Sequence, residues 1–343
     1  MMAAISMLCL ILGAGAVLLA LLWTAVDGLK AAHAQPGIVG VILLCVGLAL
    51  PVGPSDSAEG GAGAAAVSSP PSPAGQDLNL SDGPTIATRL GIACRTDSAG
   101  QAACWGDAVT LPEGPAHKIV LGRAHGCALM QSGALSCWGG AEKDADQHAG
   151  RRFVDASASL DATCALTAQG ALHCFGEDLG MPPPGKRLTQ VSGGAAHFCA
   201  LSEIGRAHCW GEDTDGQTRA PTDQLFQSLT AGHFHTCGIT REGDTSCWGR
   251  NTEGQSSPPE DTRLTKISAG WAHTCGLTSE GQAVCWGCDV RHPKLQIDAT
   301  SACSPPEGPF SAISAGDLWR SCGLNNSGAP ICWGGIAREG GPE

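Results

Sequence analysis

Two uncharged apolar runs open the chain. The run over 2–26 is long enough to cross a hydrocarbon layer of roughly 30 Å as a helix. The second, Gly37 to Val52, has sixteen residues, and its uncharged flanks from Gln35 to Pro54 extend it toward a full span. Lys30, between them, is the only cation before Arg89. A cation in so short a connection places it on the cytoplasmic side, with both ends outside. The pattern therefore predicts a transmembrane helical hairpin over 1–52. A second reading makes Ala32-His33-Ala34 a signal-peptidase site, with cleavage after Ala34 and 37–52 as sole anchor, although the basic segment that opens such signals is missing. Residues 53–85 are Gly, Ala, Ser and Pro with a few acids, a composition that buries too little apolar surface to order itself. They read as a flexible linker.

From residue 86 the pattern changes to short stretches of small and apolar residues with a turn signal at regular spacing, and it repeats. Cysteines fall in pairs ten apart: Cys94/Cys104, Cys127/Cys137, Cys164/Cys174, Cys199/Cys209, Cys237/Cys247, Cys275/Cys285 and Cys322/Cys332. A Gly stands six after the first Cys in all seven copies, and the second Cys is followed by Trp-Gly in six and by Phe175-Gly176 in one. Pairing Cys275 with Cys285 antiparallel sets Leu277 opposite Ala283 and leaves Ser279, Glu280 and Gly281 for the turn. A three-residue hairpin loop needs a left-handed third position, which is where the Gly stands. The run ahead of each hairpin, Ile267-Ser268-Ala269-Gly270 in the sixth copy, supplies a third short strand of small residues. Small repeated sheets of about 37 residues favour radial closure. The sequence predicts an all-β, seven-bladed β-propeller over 86–343, with Ile86 to Gly91 completing the final blade and closing the ring.

Eighteen cysteines imply an oxidising compartment or many metal sites. Zinc ligand sets usually carry Cys-x-x-Cys spacing, which none of these pairs shows. Directly opposed cysteines favour hairpin disulfides for the seven pairs. Cys288 and Cys303 are left to staple the insertion Asp289–Ala302, and Cys9 and Cys45 lie in the apolar runs. The propeller is thereby placed outside the cytoplasm, in a periplasm or at a cell surface. Its charge, 19 cations against 28 acids from residue 81 onward, excludes a broad phosphate-binding surface and hence nucleic acid as a partner.

A His lies two before the first Cys in four copies, His125, His197, His235 and His273, but Ile92, Ala162 and Arg320 interrupt any ring of metal ligands. The expected role is a backbone hydrogen bond to a neighbouring blade. The repeated Trp residues are expected to pack between blades. Trp271 and Trp319, and with them Phe234, stand outside that register and are the candidates for surface contact. Glu212–Gln217 resembles the opening of a calcium loop, yet the next copy has Arg250-Asn251-Thr252-Glu253-Gly254-Gln255 in its place, so a repeat-specific turn explains both. No nucleophile elbow, phosphate loop or His-Glu-x-x-His motif occurs; no catalytic residue, metal ligand or cofactor is assigned, and the chain is not read as an enzyme.

The pattern I-x-A-G-x-x-H-T-C-G-L-x-x-x-G-x-x-x-C-W-G-x-N-x-x-G-Q, most complete at Leu229–Gln255, resembles the regulator-of-chromosome-condensation repeat. It is most similar to the short, cysteine-paired bacterial version, whose propeller superfamily includes a secreted beta-lactamase inhibitor protein. The resemblance implies the propeller fold over about three quarters of the chain. The best-known member of the family is a guanine-nucleotide exchange factor that also binds chromatin, and others are interaction platforms. The anchor, paired cysteines and acidic charge depart from that member. The reading favoured is a membrane-anchored, extracytoplasmic protein-protein interaction module, an accessory or structural subunit of a membrane complex with a protein partner. The alternatives are a carbohydrate- or envelope-binding adhesin and, further off, an exchange factor, which requires a reducing cytosol.

Overall fold

Cysteines ten residues apart face each other across every hairpin. Cys94↔Cys104, Cys127↔Cys137, Cys164↔Cys174, Cys199↔Cys209, Cys237↔Cys247, Cys275↔Cys285 and Cys322↔Cys332 are all register partners. Their Cα atoms stand 4.0–4.1 Å apart, the close spacing of a non-hydrogen-bonded antiparallel pair, and each pair forms a disulfide. The glycine that ends each hairpin loop has φ between 76° and 91° in all seven copies, a conformation that costs a side-chain-bearing residue dearly.

The computed structural model describes residues 84–335 apart from 107–108, 141–147, 183–184, 289–290, 293–296 and 318. The apolar segments 2–26 and 37–52, with Cys9 and Cys45, nearly all of the expected linker 53–85 and the tail after 335 lie outside the described residues. Among the described residues no helix is long and apolar enough to cross a membrane.

Seven three-stranded antiparallel sheets follow one another: blade 1 (85–105), blade 2 (116–138), blade 3 (153–176), blade 4 (188–211), blade 5 (226–249), blade 6 (266–286) and blade 7 (310–334). Within each, the first strand is innermost and the disulfide joins the middle and outer strands. The innermost strands pack against one another in sequence, and that of blade 7 packs against that of blade 1, so the ring is closed. After blade 6 the insertion holds a two-stranded ribbon (Arg291–His292, Ile297–Asp298) and a 3-10 helix (Ala299–Cys303), and Cys288–Cys303 forms a disulfide across it.

Closure differs from the sequence expectation. The first strand, Thr85–Arg89, pairs with Ile92–Thr96 of its own blade, and blade 7 supplies three strands itself. The ring closes through side chains. Ser314 Oγ of blade 7 accepts the Thr88 N–H at 3.1 Å. The same contact recurs from blade to blade: Ser157, Ser192, Thr230 and Ser268 accept the N–H groups of Gly193, Ala231, Ala269 and Ala315. Closure therefore reuses the interface that joins blades 3 to 7.

A second belt involves the histidines, and it too differs in detail from the expectation. Each reaches the neighbouring blade, but its partner is a side-chain hydroxyl rather than the backbone: His125 Nε2 to Thr163 Oγ1 (2.9 Å), His197 to Thr236 (3.0 Å), His235 to Thr274 (2.8 Å) and His273 to Ser321 Oγ (2.8 Å). Where a blade has no His, the next has no hydroxyl: Ile92 goes with Gly126, Ala162 with Phe198 and Arg320 with Ala93. A third belt satisfies three of the repeated tryptophans, Trp248, Trp286 and Trp333. Trp248 Nε1 donates to the Gln217 carbonyl and Trp286 Nε1 to the Gln255 carbonyl, both at 2.9 Å, from the loop leaving the preceding blade.

These bonds determine a tautomer. Thr236 donates its hydroxyl proton to the Gln217 carbonyl at 3.0 Å and must accept from His197; Thr274, bonded to the Gln255 carbonyl at 3.1 Å, must accept from His235. Both imidazoles therefore carry their proton on Nε2. Each ring packs close against the glycine of its own turn: a methyl group added at Gly194 would come within 2.6 Å of His197 Nδ1. The Nδ1 atoms of His197, His235 and His273 have no partner, so a proton there would find no acceptor. Burial accordingly lowers the pKa of His197 to about 4, of His235 to about 3 and of His273 to about 4, with neighbouring imidazoles adding repulsion at the first two.

In the unfolded chain these histidines have ordinary pKa values of about 6.5. Below that pH the unfolded state binds protons that the folded state refuses, so stability present above pH 6.5 falls as pH drops toward 4. Urea denaturation of the oxidised protein should show a loss on the order of several kcal/mol between pH 7 and 4.5. At constant neutral pH, Thr236→Val strands the His197 donor, while the Gln217 carbonyl keeps its bond from Trp248, and should cost about 1–3 kcal/mol in the same measurement.

Candidate binding site

The turns from inner to middle strands gather at one end of the ring. In blades 2, 4, 5 and 6 they share the form Gly-x-x-His, and the Gly N–H bonds the His carbonyl in each. The two central positions are free to vary. In blades 2 and 4 they are Arg123-Ala124 and Ala195-Ala196; in blades 5 and 6 they are His233-Phe234 and Trp271-Ala272. Blade 7 spaces Gly316 and Cys322 one residue further apart than blades 2, 4, 5 and 6 space their equivalents, and this longer turn holds Asp317 and Trp319.

The longer turn organises a charged cluster. The Asp317 carboxylate, nearly buried, accepts the Leu90 N–H at 2.9 Å through Oδ2 and meets His233 Nε2 at 2.6 Å through Oδ1. Arg89 Nε lies 3.9 Å from Oδ2, and its Nη2 donates to the Gly194 carbonyl at 3.1 Å, joining blade 1 to blade 4. Burial disfavours the charged carboxylate, but the His233 bond, the His233 and Arg89 charges and the Leu90 N–H outweigh it and hold the Asp317 pKa below its ordinary value. Leu90 and Trp319 are two of three described non-glycine residues with positive φ, 45° and 55°. Such strain persists where surrounding contacts enforce it, and it concentrates at functional positions.

Beside this cluster a pocket of about 130 Å³ brings together Phe234, Trp271 and Trp319, the three off-register aromatics, from blades 5, 6 and 7. Trp271 and Trp319 meet edge to face with ring centroids 4.8 Å apart, an attractive geometry. The polar lining comes from blade 5 and the loop that leaves it. The Arg250 guanidinium stands 5.4 Å from the Phe234 ring centroid and 3.5 Å from Glu253 Oε1, and Gln255 Nε2 donates to Glu253 Oε2. Aromatic walls with one cation and one carboxylate at the rim suit a side chain that is apolar along its stem and polar at its tip. Among the described residues no three His, Cys, Asp or Glu side chains are grouped as metal ligands would be.

The three aromatics divide by role. Phe234 and Trp271 are half-buried and reachable, whereas Trp319, expected at the surface, is only 2% exposed and forms a wall. Asp213 in the calcium-like segment is engaged within its own turn, accepting from Thr218 N and Arg219 Nε. Sequence reasoning missed Arg89, His233, Asp317, Arg250 and Glu253. The extra residue between Gly316 and Cys322 was the available signal for the cluster. Trp319→Ala should cost about 3–5 kcal/mol in urea denaturation, as for a buried aromatic. Phe234→Ala should cost about 1 kcal/mol or less, leaving it usable as a binding probe.

Three stretches, residues 188–217, 226–255 and 264–292, match the family model described as Regulator of chromosome condensation (RCC1) repeat. The first two run from the innermost strand to the tucked glutamine, Gln217 or Gln255. No curated protein sequence gives a match to the chain. Among solved structures, the ectodomain of the Physcomitrella patens receptor kinase CR4 is similar, with 28% identity and a TM-score of 0.60 over 74% of this chain and 72% of that one. The CRINKLY WD40 ectodomain of the Arabidopsis thaliana receptor kinase ACR4 shows 26% identity and a TM-score of 0.62 over 73% and 94%. Prp20p from Saccharomyces cerevisiae, at 16% identity and a TM-score of 0.50 over 63% and 71%, shares the fold. With its matched repeats set in a closed ring of seven sheets, the chain carries regulator of chromosome condensation repeats.

Proposed function

We propose that this chain is an extracytoplasmic protein-interaction module, tethered to a membrane by residues 1–52 through the linker 53–85 and presenting the propeller 86–343 to a protein partner. The observation that carries this reading is the convergence of Phe234, Trp271 and Trp319 from three blades on one pocket, beside a strained turn and a charged cluster. Aromatic residues in a concave site with polar groups at its rim are the usual anchors of protein interfaces. Eight disulfides suit an oxidising compartment and argue against nucleotide exchange in a reducing cytosol. The two plant relatives are receptor-kinase ectodomains, which supports a role outside the cytoplasm. A tethered propeller with such a pocket serves as an accessory subunit that docks on a membrane complex, and its acidic balance favours a neutral or basic partner surface.

The test is purification of the full chain from native membranes in mild detergent, without crosslinking, beside the double variant Phe234→Ala/Trp271→Ala. A protein partner at stoichiometric level with the native chain, reduced at least tenfold with the variant, is the expected result. Recovery of the native chain alone, or equal recovery of the partner by both, overturns the reading.

A further inference from the structure

One buried indole of the tryptophan repeat is left unanswered among the described residues, that of Trp210. At three interfaces the indole N–H is answered by a main-chain carbonyl of the segment that leaves the preceding blade: Gln217 for Trp248, Gln255 for Trp286 and Ala302 for Trp333, at 2.9–3.0 Å. These segments seat deeply. A methyl group added at Gly249, Gly287 or Gly334 would stand 3.0, 2.7 or 2.6 Å from the Cα of Gln217, Gln255 or Ala302. Blade 4 offers the same receiving half, Cys209-Trp210-Gly211; the segment leaving blade 3 packs Leu179 against the cluster that holds Trp210, but its described residues offer the indole no carbonyl. The atoms nearest to a methyl group at Gly211 belong to Ala196 and His197 of its own blade. Trp210 is 8% exposed, and among the described residues its Nε1 has no acceptor.

The segment leaving blade 3 shows what is missing. It opens Gly176-Glu177-Asp178, as blade 4 opens Gly211-Glu212-Asp213, and then diverges. In blade 4 the continuation Thr214-Asp215-Gly216-Gln217-Thr218-Arg219 folds back, so that Asp213 accepts from Thr218 N and Arg219 Nε while the Gln217 carbonyl serves Trp248. In blade 3 the continuation is Leu179-Gly180-Met181. Asp178 is exposed and accepts the Gly180 N–H at 2.9 Å, and Met181 is 54% exposed. Between the blades lies a cavity of about 250 Å³ lined by Phe175, Asp178, Met181, Phe198 and Trp210. Its volume is that of roughly eight water molecules in the liquid, enough for two small residues.

We propose that this cavity is a second binding site, which takes a folded-back turn segment of a partner protein of Gly-Gln-x-Arg character. The segment replaces what blade 3 lacks. Its main-chain carbonyl accepts the Trp210 indole N–H, its small and amide residues fill the space against Phe198 and Met181, and its cation pairs with Asp178 and Glu177. The occupant's chemistry is read from the molecule's own equivalent interface, in which Gln217 and Arg219 make these two contacts. The site lies between blades 3 and 4, apart from the aromatic pocket of blades 5 to 7.

The test titrates the full chain, oxidised and in detergent micelles, with the peptide acetyl-Thr-Asp-Gly-Gln-Thr-Arg-amide, following indole N–H resonances and heat. The Trp210 resonance should move downfield on saturation while those of Trp248 and Trp286 stay. Trp210→Phe and Asp178→Asn should each weaken binding by roughly five- to tenfold, the loss of one hydrogen bond to a desolvated or charged partner. Because Asp178 is exposed, Asp178→Asn remains informative if Trp210→Phe does not fold. An unmoved Trp210 resonance at millimolar peptide, or equal affinity for native and variant proteins, overturns the proposal.

Discussion

A hydroxyl group shared between neighbouring blades is the contact on which this ring depends. Thr236 and Thr274 each accept from the imidazole of one blade and donate to the carbonyl of a glutamine tucked under the tryptophan of their own. Both ends of that relay are nearly or wholly removed from water, so the interface between blades is polar and yet satisfied. Apolar clusters such as Leu166, Leu188, Val191, Phe198 and Trp210 also pack neighbouring blades together, but burial of this kind is not directional. Directional bonds between them supply the register that bulk burial cannot. All three belts run unbroken from blade 4 through to blade 7, and blades 4 to 6 are those that match the repeat family.

That construction leaves one end of the ring free to specialise. The disulfide, the hairpin glycine and the histidine fix the frame of each blade, while the two residues between Gly and His are set apart from it. Blades 2 and 4 place arginine or alanine there. Blades 5, 6 and 7 place aromatics there with His233 and Asp317, so the chemistry of the mouth is one-sided. The strained backbone at Leu90 and Trp319 lies where the first and last blades meet around Asp317. The junction that completes the ring and the pocket that faces a partner therefore share residues.

Much of the frame was legible in the repeats. The ten-residue cysteine spacing, with glycine at a constant offset, admits one hairpin register, and Leu277 does face Ala283. The pairing of histidine in one copy with hydroxyl in the next was also on the page, but it becomes visible only when adjacent copies are compared rather than aligned. Closure was misread because a leftover strand suggests exchange between ends. Blade 1 has its own hairpin, and Ser314 performs the joining. At the site, Phe234 and Trp271 stood out by breaking register. Arg89 and Asp317, 228 positions apart, could not be joined from sequence, since their meeting depends on which turns the closed ring brings together.

The central claim is that neutral, Nε2-protonated imidazoles bind blade to blade. Histidine ring nitrogen NMR on the full oxidised chain measures this directly. The account predicts that His197 and His235 hold the Nε2–H tautomer and stay neutral from pH 7 down to about 5, as their lowered pKa values require. Titration of either ring near pH 6.5, or a proton resident on Nδ1, would contradict it.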